Sequence, residues 1–212
     1  MNLTEIYQQF ITDIKYTSLL EYIAVFTGIA SVWYSRKENI LVYPTGLIGT
    51  IIYIYLSFKV GLYGEGSVNF YYTVMSIYGW ILWTRKDNQQ HLVLKISSAT
   101  KKEWLQHLLF CSIFYIVIFA ILFWLKKNNY AKEAIPWADA FASSTAFTGM
   151  WLMAKKKVES WYWWIATNCA SIPLYFVKHY VFTSIYYVVL LIMAFAGLFE
   201  WLKRKEPMPI NL

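Results

Sequence analysis

Seven runs of mostly apolar residues recur along the chain, near 17–35, 39–58, 67–84, 104–125, 137–154, 161–178 and 181–202, each closed by polar or basic residues. A helix rising about 1.5 Å per residue needs about 20 such residues to cross roughly 30 Å of hydrocarbon. Seven crossings therefore fill most of 212 residues and leave only short loops. Composition agrees, with 58% hydrophobic and 15% charged residues, against roughly 45–50% and about 25% in an ordinary soluble domain. A water-soluble core of this size cannot hide so much apolar surface. The fold class expected is all-α and integral to the membrane, with seven transmembrane helices; a count of six would drop the fifth run. Disordered, collagen-like and disulfide-rich classes are excluded.

Charge sets the orientation. With seven spans, one side receives Arg36, Lys37, Arg85, Lys86, Lys95, Lys101, Lys102, Lys155, Lys156, Lys157, Lys203, Arg204 and Lys205. The other receives Lys15, Lys59, Lys126, Lys127, Lys132 and Lys178. The positive-inside rule predicts a cytoplasmic C-terminus and an external N-terminus, and attributes the net charge of +7 to loops facing anionic lipid. No cleavable signal is expected in residues 1–16, which carry Glu5 and Asp13. Leu3, Ile6, Phe10 and Ile14 instead recur at helical spacing, predicting an amphipathic segment on the membrane surface. Cys111 and Cys169 lack metal-ligand spacing and read as buried free thiols.

The chain resembles two copies of itself. A shift of 118 positions carries Glu21 onto Asp139, Ala24 onto Ala142, Trp33 onto Trp151, Lys37 onto Lys155, Gly79 onto Gly197 and Trp83 onto Trp201. Each copy holds three runs, with the fourth between them. Three helices plus one linker make an even number of crossings, so both copies insert the same way up. The predicted organisation is an interfacial segment over 1–16, a first three-helix repeat over 17–84, a polar loop and linker helix over 85–136, a second repeat over 137–202, and a cytoplasmic tail over 203–212. Parallel repeats are a transporter layout with substrate at the repeat interface.

Two polar and aromatic stripes mark that interface. On the third run, Asn69, Tyr72, Ser76, Trp80 and Trp83 follow at steps of three and four, as do Trp161, Trp164, Asn168, Ser171 and Tyr175 on the sixth. Aromatic faces offer stacking and cation–π attraction, and an amide offers a donor and an acceptor. The combination suits a flat polar ligand, uncharged or cationic. For the outer Trp161 and Trp83 the favoured reading is an interfacial aromatic belt; for Trp164 and Asn168, one turn deeper, it is the substrate path, with glue between helices as the competing reading of the Asn residues.

Pro173 frees the carbonyl of Cys169 beside Asn168, which allows a bend during transport or a kink packed by neighbours. Glu21 and Asp139 fall in the first turns of equivalent helices, as caps or as an outer gate. Glu200, with Lys203 and Arg204 one turn on, reads as a surface pair. Few carboxylates fall near the bilayer centre, so facilitated diffusion fits better than ion coupling. His91, His107 and His179 are scattered, and no zinc spacing, nucleophile elbow or phosphate loop is present. The chain is expected to be no enzyme and to need no cofactor or metal.

The stretch Glu159-Ser160-Trp161-Tyr162-Trp163-Trp164-Ile165-Ala166-Thr167-Asn168, followed by Ile172-Pro173-Leu174-Tyr175, resembles the PnuC family of vitamin transporters. So do Tyr71-Tyr72 and Ile77-Tyr78-Gly79-Trp80 with Trp83. Trp-x-x-Trp-x-x-x-Asn is the most specific element, and the likeness runs from about Glu21 to Trp201. It implies a three-plus-one-plus-three arrangement similar to SWEET sugar transporters, in a bacterial inner membrane. It also implies uncoupled uptake of nicotinamide riboside with trapping by a cytoplasmic vitamin kinase, and a homotrimer. Trp161, Trp164 and Asn168 would match the family's binding motif, with the face from Asn69 to Trp80 opposite. Nicotinamide riboside members carry Gln where this chain has Asn69, which leaves thiamine and riboflavin open as substrates. From another class, a membrane enzyme or assembly factor that transports nothing remains the alternative.

Overall fold

The computed structural model describes residues 3–59 and 63–205, and over these it contains eight helices. They are α1 (Leu3–Tyr16), α2 (Leu19–Arg36), α3 (Val42–Lys59), α4 (Tyr63–Thr84), α5 (Lys101–Lys127), α6 (Pro136–Ala154), α7 (Ser160–Val177) and α8 (Val181–Arg204). The seven apolar runs correspond to α2 through α8. Part of the expected tail, 206–212, lies outside the described residues.

Helix starts follow local chemistry. Ser18 caps α2, its hydroxyl accepting from Glu21 N–H while the Glu21 carboxylate accepts from Ser18 N–H at 2.6 Å. Thr100 and Glu103 repeat that reciprocal box at α5, and each box satisfies two amides that have no partner within the helix. Pro136 stands at the start of α6, where a missing N–H costs nothing.

Six helices close a ring in the order α2, α3, α4, α6, α7, α8 and back to α2. α5 packs outside the ring on α6, and α1 rests on α8. Small residues permit this closeness: α6 buries Ala138, Ala140, Ala142, Ser144, Thr145, Ala146, Thr148 and Gly149. Among apolar lipid tails, packing density and hydrogen bonds hold helices together in place of the hydrophobic effect. The Thr167 hydroxyl meets Thr145 at 2.9 Å between α7 and α6, and Thr73 meets Thr50 at 2.9 Å between α4 and α3.

Lipid is written on the outer faces. α5 exposes Leu105, Leu109, Ile113, Ile116, Val117 and Phe123, and it and α8 are long and apolar enough to cross a membrane on those grounds alone. The other ring helices place Ser, Thr, Asn and Tyr toward the interior, which lowers their overall apolarity. A single helix face of this kind in water would be an aggregation site.

Shifting α2, α3 and α4 by 118 positions lands on α6, α7 and α8 to within two residues at every end. The turns after α2 and α6 also match, with Glu38 at φ 57 and its equivalent Lys156 at φ 50. α1 is fastened as well as amphipathic. Asp13 accepts from the first-turn N–H of Phe182 at 3.1 Å, and Tyr22 donates to the Ile14 carbonyl at 2.9 Å.

Three expectations change. Cys169 is exposed, on a lipid-facing part of α7, and Cys111 is half-buried, so neither is a core thiol. Glu200 is a hub between helices, pairing with Arg36 of α2 at 2.7 Å, with Lys37 at 3.4 Å, and with Arg204 on its own helix. Trp83 and Trp161 are buried at 3% and 1% exposure, so neither belongs to an interfacial belt.

Candidate functional site

The ring interior is layered from the end that carries the α2 and α8 C-termini. There Tyr43, Trp83, Trp161 and Trp201 form a buried cluster. Tyr43 meets Trp83 edge-on at 5.2 Å, Trp161 meets Trp201 edge-on at 5.6 Å, and the two pairs join through Trp83 and Trp201 at 6.2 Å. Each pair is the repeat equivalent of the other. Glycine makes the fit possible on both sides: a Cβ on Gly79 would come within 2.4 Å of the Tyr43 hydroxyl, and one on Gly197 within 2.4 Å of the Trp161 ring.

Charge reinforces the same end. Lys156 is only 2% exposed; its ammonium contacts Glu38 at 2.7 Å and lies 4.7 Å from the Trp83 ring centroid. The Trp201 indole donates to the Ser35 carbonyl at 3.1 Å, and Ser35 meets Met153 at 2.9 Å. The loop between α4 and α5 seals the outside, exchanging Ser97 N–H to Lys156 O and Val158 N–H to Ser97 O, with Lys157 paired to Glu103 at 2.7 Å.

The next layer departs from symmetry. Tyr72 of α4 and Trp164 of α7 approach to 6.3 Å, although these helices are not neighbours in the ring. Trp164 lies over Gly149, whose Cβ would be 3.2 Å from the indole, and Phe147 stands 6.0 Å from Tyr72. The repeat equivalents of Trp164 and Gly149 are Gly46 and Ser31, so no ring projects from that side. Ser76 and Asn168 are both buried, each at 3% exposure. Tyr71 is held outside this layer, stacked on Phe147 at 4.2 Å and donating to its carbonyl at 3.1 Å.

Beyond it lies a layer of tyrosines. Tyr175 stacks on Tyr187 at 5.2 Å, and Tyr187 meets Tyr186 at 5.7 Å. The Tyr187 hydroxyl has Tyr175 and Ser171 as hydrogen-bonding neighbours, and Tyr186 places its hydroxyl against Gly28 of α2.

At the far end are the acidic residues. Asp139 accepts from Ile135 N–H at 2.7 Å and pairs with Lys178 at 2.7 Å; Glu21 closes the α2 cap. Both therefore do the capping that first-turn carboxylates are suited to. Asn69 donates its amide to the Glu65 carbonyl at 3.0 Å, one turn back.

The structure thus brings Tyr72 and Trp164 into contact, buries Ser76 and Asn168 in the same ring, and sets Tyr175 one layer beyond. Trp161 belongs to the closed cluster rather than to this contact. Trp80 is 38% exposed, because a helix turns roughly 60° between it and Trp83 and carries its ring off the stripe. Pro173 is exposed on the outer face of α7. The spacing did not mark Tyr186 and Tyr187, which the structure groups with Tyr175. Among the described residues, no group of three His, Cys, Asp or Glu side chains converges to hold a metal.

The nicotinamide mononucleotide transporter family model matches residues 18–203. The chain belongs to that family. The chain is similar to the nicotinamide riboside transporter PnuC of Neisseria mucosa, 26% identical over 163 residues, which are 74% of this chain and 60% of that protein. The chain thus spans about 60% of that relative's length. The riboflavin/roseoflavin transporter RibM of Streptomyces davaonensis is 21% identical over 180 residues, covering 84% of this chain and 82% of RibM. The crystal structure of the vitamin B3 transporter PnuC has the same fold, with a TM-score of 0.70 at 24% identity over 95% of this chain and 88% of that one. These relatives are transporters and not enzymes. Family and lipid-facing surface together make this a multi-pass membrane protein.

Proposed function

We propose that the chain carries a small aromatic vitamin through the centre of its helix ring by facilitated diffusion, with nicotinamide riboside first, and thiamine or riboflavin as alternatives. The observation that carries this reading is the Tyr72–Trp164 contact, made across the ring by helices of different halves, with Asn168 and Ser76 buried nearby. Two aromatic faces can hold a flat ring, and Asn168 supplies a donor and an acceptor for hydroxyls or a carboxamide. Tyr175 and Asn69 would meet the vitamin on its way in; the family resemblance would add Trp161 and Trp80, which here lie in the closed cluster and off the stripe. The names of the relatives PnuC and RibM support vitamins as cargo.

The architecture proposed is seven spans in a three-plus-one-plus-three parallel repeat. α2–α4 form one repeat within 17–84, α6–α8 the other within 137–202, and α5 is the linker within 85–136. The matching helix ends and the pseudo-twofold contacts of Glu38 with Lys156 and of Ser35 with Met153 support it. Segment 1–16 would lie at the outer surface, the N-terminus outside, and the tail from 203 in the cytoplasm of a bacterial inner membrane. On that orientation the aromatic cluster is a closed inner gate, Glu21, Asp139 and Pro173 belong to the outer gate, and transport rocks one repeat against the other. A cytoplasmic vitamin kinase would trap the product, and a homotrimer is the proposed assembly.

Counterflow in liposomes tests the reading. Protein reconstituted with internal nicotinamide riboside, thiamine or riboflavin should accumulate the labelled form of its own substrate. A folded protein that exchanges none of the three would overturn transport in favour of a membrane enzyme or assembly factor.

A further inference from the structure

We infer that the ring parts between α4 and α6 when the path opens, while the seam between α2 and α8 stays fastened. The inference rests on the transport reading above and adds to it the place where the wall of the path moves.

The two halves meet at two seams, α2 against α8 and α4 against α6. The first is pinned at both ends. At its inner end Glu200 of α8 pairs with Arg36 at 2.7 Å and with Lys37 at 3.4 Å. Trp201 donates across the same seam to the Ser35 carbonyl at 3.1 Å, and Arg204 to the Lys37 carbonyl at 3.2 Å. At its outer end the Phe182 ring of α8 meets Tyr22 of α2 edge-on at 6.3 Å. Helix α1 ties both down: Asp13 accepts from Phe182 N–H at 3.1 Å, and the Ile14 carbonyl accepts from Tyr22 at 2.9 Å.

The second seam has different residues at the equivalent places. A shift of 118 positions exchanges Arg36 and Glu200 for Ala154 and Leu82, and Tyr22 and Phe182 for Ala140 and Gly64. Glu65 is the one charged residue of α4 and Asp139 the one charged residue of α6, so no ion pair can join these helices. Trp83, the equivalent of Trp201, has its buried indole N–H without a partner among the described residues. Two contacts do cross here. Tyr71 stacks on Phe147 at 4.2 Å and donates to its carbonyl at 3.1 Å, near the middle of both helices. Just past α6, the Lys156 ammonium lies 4.7 Å from the Trp83 ring centroid. The linker adds no clasp between α4 and α6, because α5 packs on α6 and Glu103 pairs with Lys157 at 2.7 Å.

Directional hydrogen bonds and ion pairs are lost on small displacements, whereas stacked rings can slide and stay in contact. A seam pinned at both ends therefore resists parting at either. One held near its middle can part at one end and then at the other, as alternating access requires.

Reversible cross-linking of the full chain in liposomes decides it, in a background of Cys111→Ser and Cys169→Ser. One protein carries Arg36→Cys with Glu200→Cys, and the other the equivalent Ala154→Cys with Leu82→Cys. A short bis-methanethiosulfonate reagent should stop vitamin counterflow in the second protein until reductant is added, and leave it running in the first. Loss of counterflow in the first, or its survival in a fully linked second, overturns the inference. Spin-label distances in the same background need no transport. Labels on Lys155→Cys with Arg85→Cys should give a broad or two-peaked distribution, and those on the equivalent Lys37→Cys with Lys203→Cys a single narrow one. Distributions of equal width overturn the inference. Proteins that exchange no vitamin before linking overturn the transport reading instead, and the label distances tell that result apart from a failure of the seam assignment.

Discussion

Glu38 and Lys156 are equivalent residues of the two halves, 118 positions apart, and they touch: the Lys156 ammonium lies 2.7 Å from the Glu38 carboxylate. Equivalent residues meet only at a pseudo-twofold axis, and Ser35 with Met153 and Trp83 with Trp201 mark the same axis. That line enters the ring through the end filled by Tyr43, Trp83, Trp161 and Trp201.

The asymmetry of burial within this pair predicts an asymmetry of variants. Lys156 is 2% exposed and Glu38 28%. Glu38→Gln leaves a buried ammonium without its partner, which costs roughly 2–4 kcal/mol, whereas Lys156→Met removes the buried charge and leaves a carboxylate that water can reach. Glu38→Gln should therefore lower the melting temperature in detergent more than Lys156→Met does. The reverse order would show that the pair is not what closes this end.

Gly79 and Gly197 admit the rings of Tyr43 and Trp161, with no room for a methyl group. Gly79→Ala and Gly197→Ala should each destabilise by roughly 1–3 kcal/mol through overpacking. Gly79→Ala combined with Tyr43→Leu should recover part of the loss, because contacting residues are not additive. Thermal unfolding of the three proteins gives the answer; simple additivity would place the strain elsewhere.

Asn168 is buried one helical turn from Trp164, and the proposed function makes it the polar anchor of the vitamin. Asn168→Ala should weaken vitamin binding about tenfold, and Trp164→Ala more than Trp164→Phe, since the smaller ring still stacks. Calorimetric titration measures all three. Unchanged affinity in Asn168→Ala would remove that residue from the site.

Topology is open to a direct measurement. With Cys111 and Cys169 replaced by Ser, Gln8→Cys should react with an impermeant maleimide in intact cells, and Lys205→Cys only after permeabilisation. The opposite pattern would invert the assigned orientation. It would also turn the closed aromatic end outward.

Helix number and extent were legible because a membrane span must be apolar for its whole length, and because polar boxes such as Ser18–Glu21 announce its start. The 118-position match of Gly79 with Gly197 and of Trp83 with Trp201 was legible too, and in the structure each glycine makes room for the ring of Tyr43 or Trp161. The Tyr72–Trp164 face was half legible: spacing gave the stripe, but Trp80 drifted off it. The tyrosines of α8 were hidden for another reason. Tyr186 and Tyr187 sit in an apolar run with no period of their own, so nothing in the sequence marks them as interior.

The sequence by itself determined a membrane-embedded chain of helices with a doubled pattern and two aromatic stripes. Tertiary structure alone decided which faces turn to the ring and which to lipid. Both environments accept the same side chains, so hydropathy cannot tell Trp161, packed on Gly197, from Phe123, left to the bilayer. Only closure of the ring separates them.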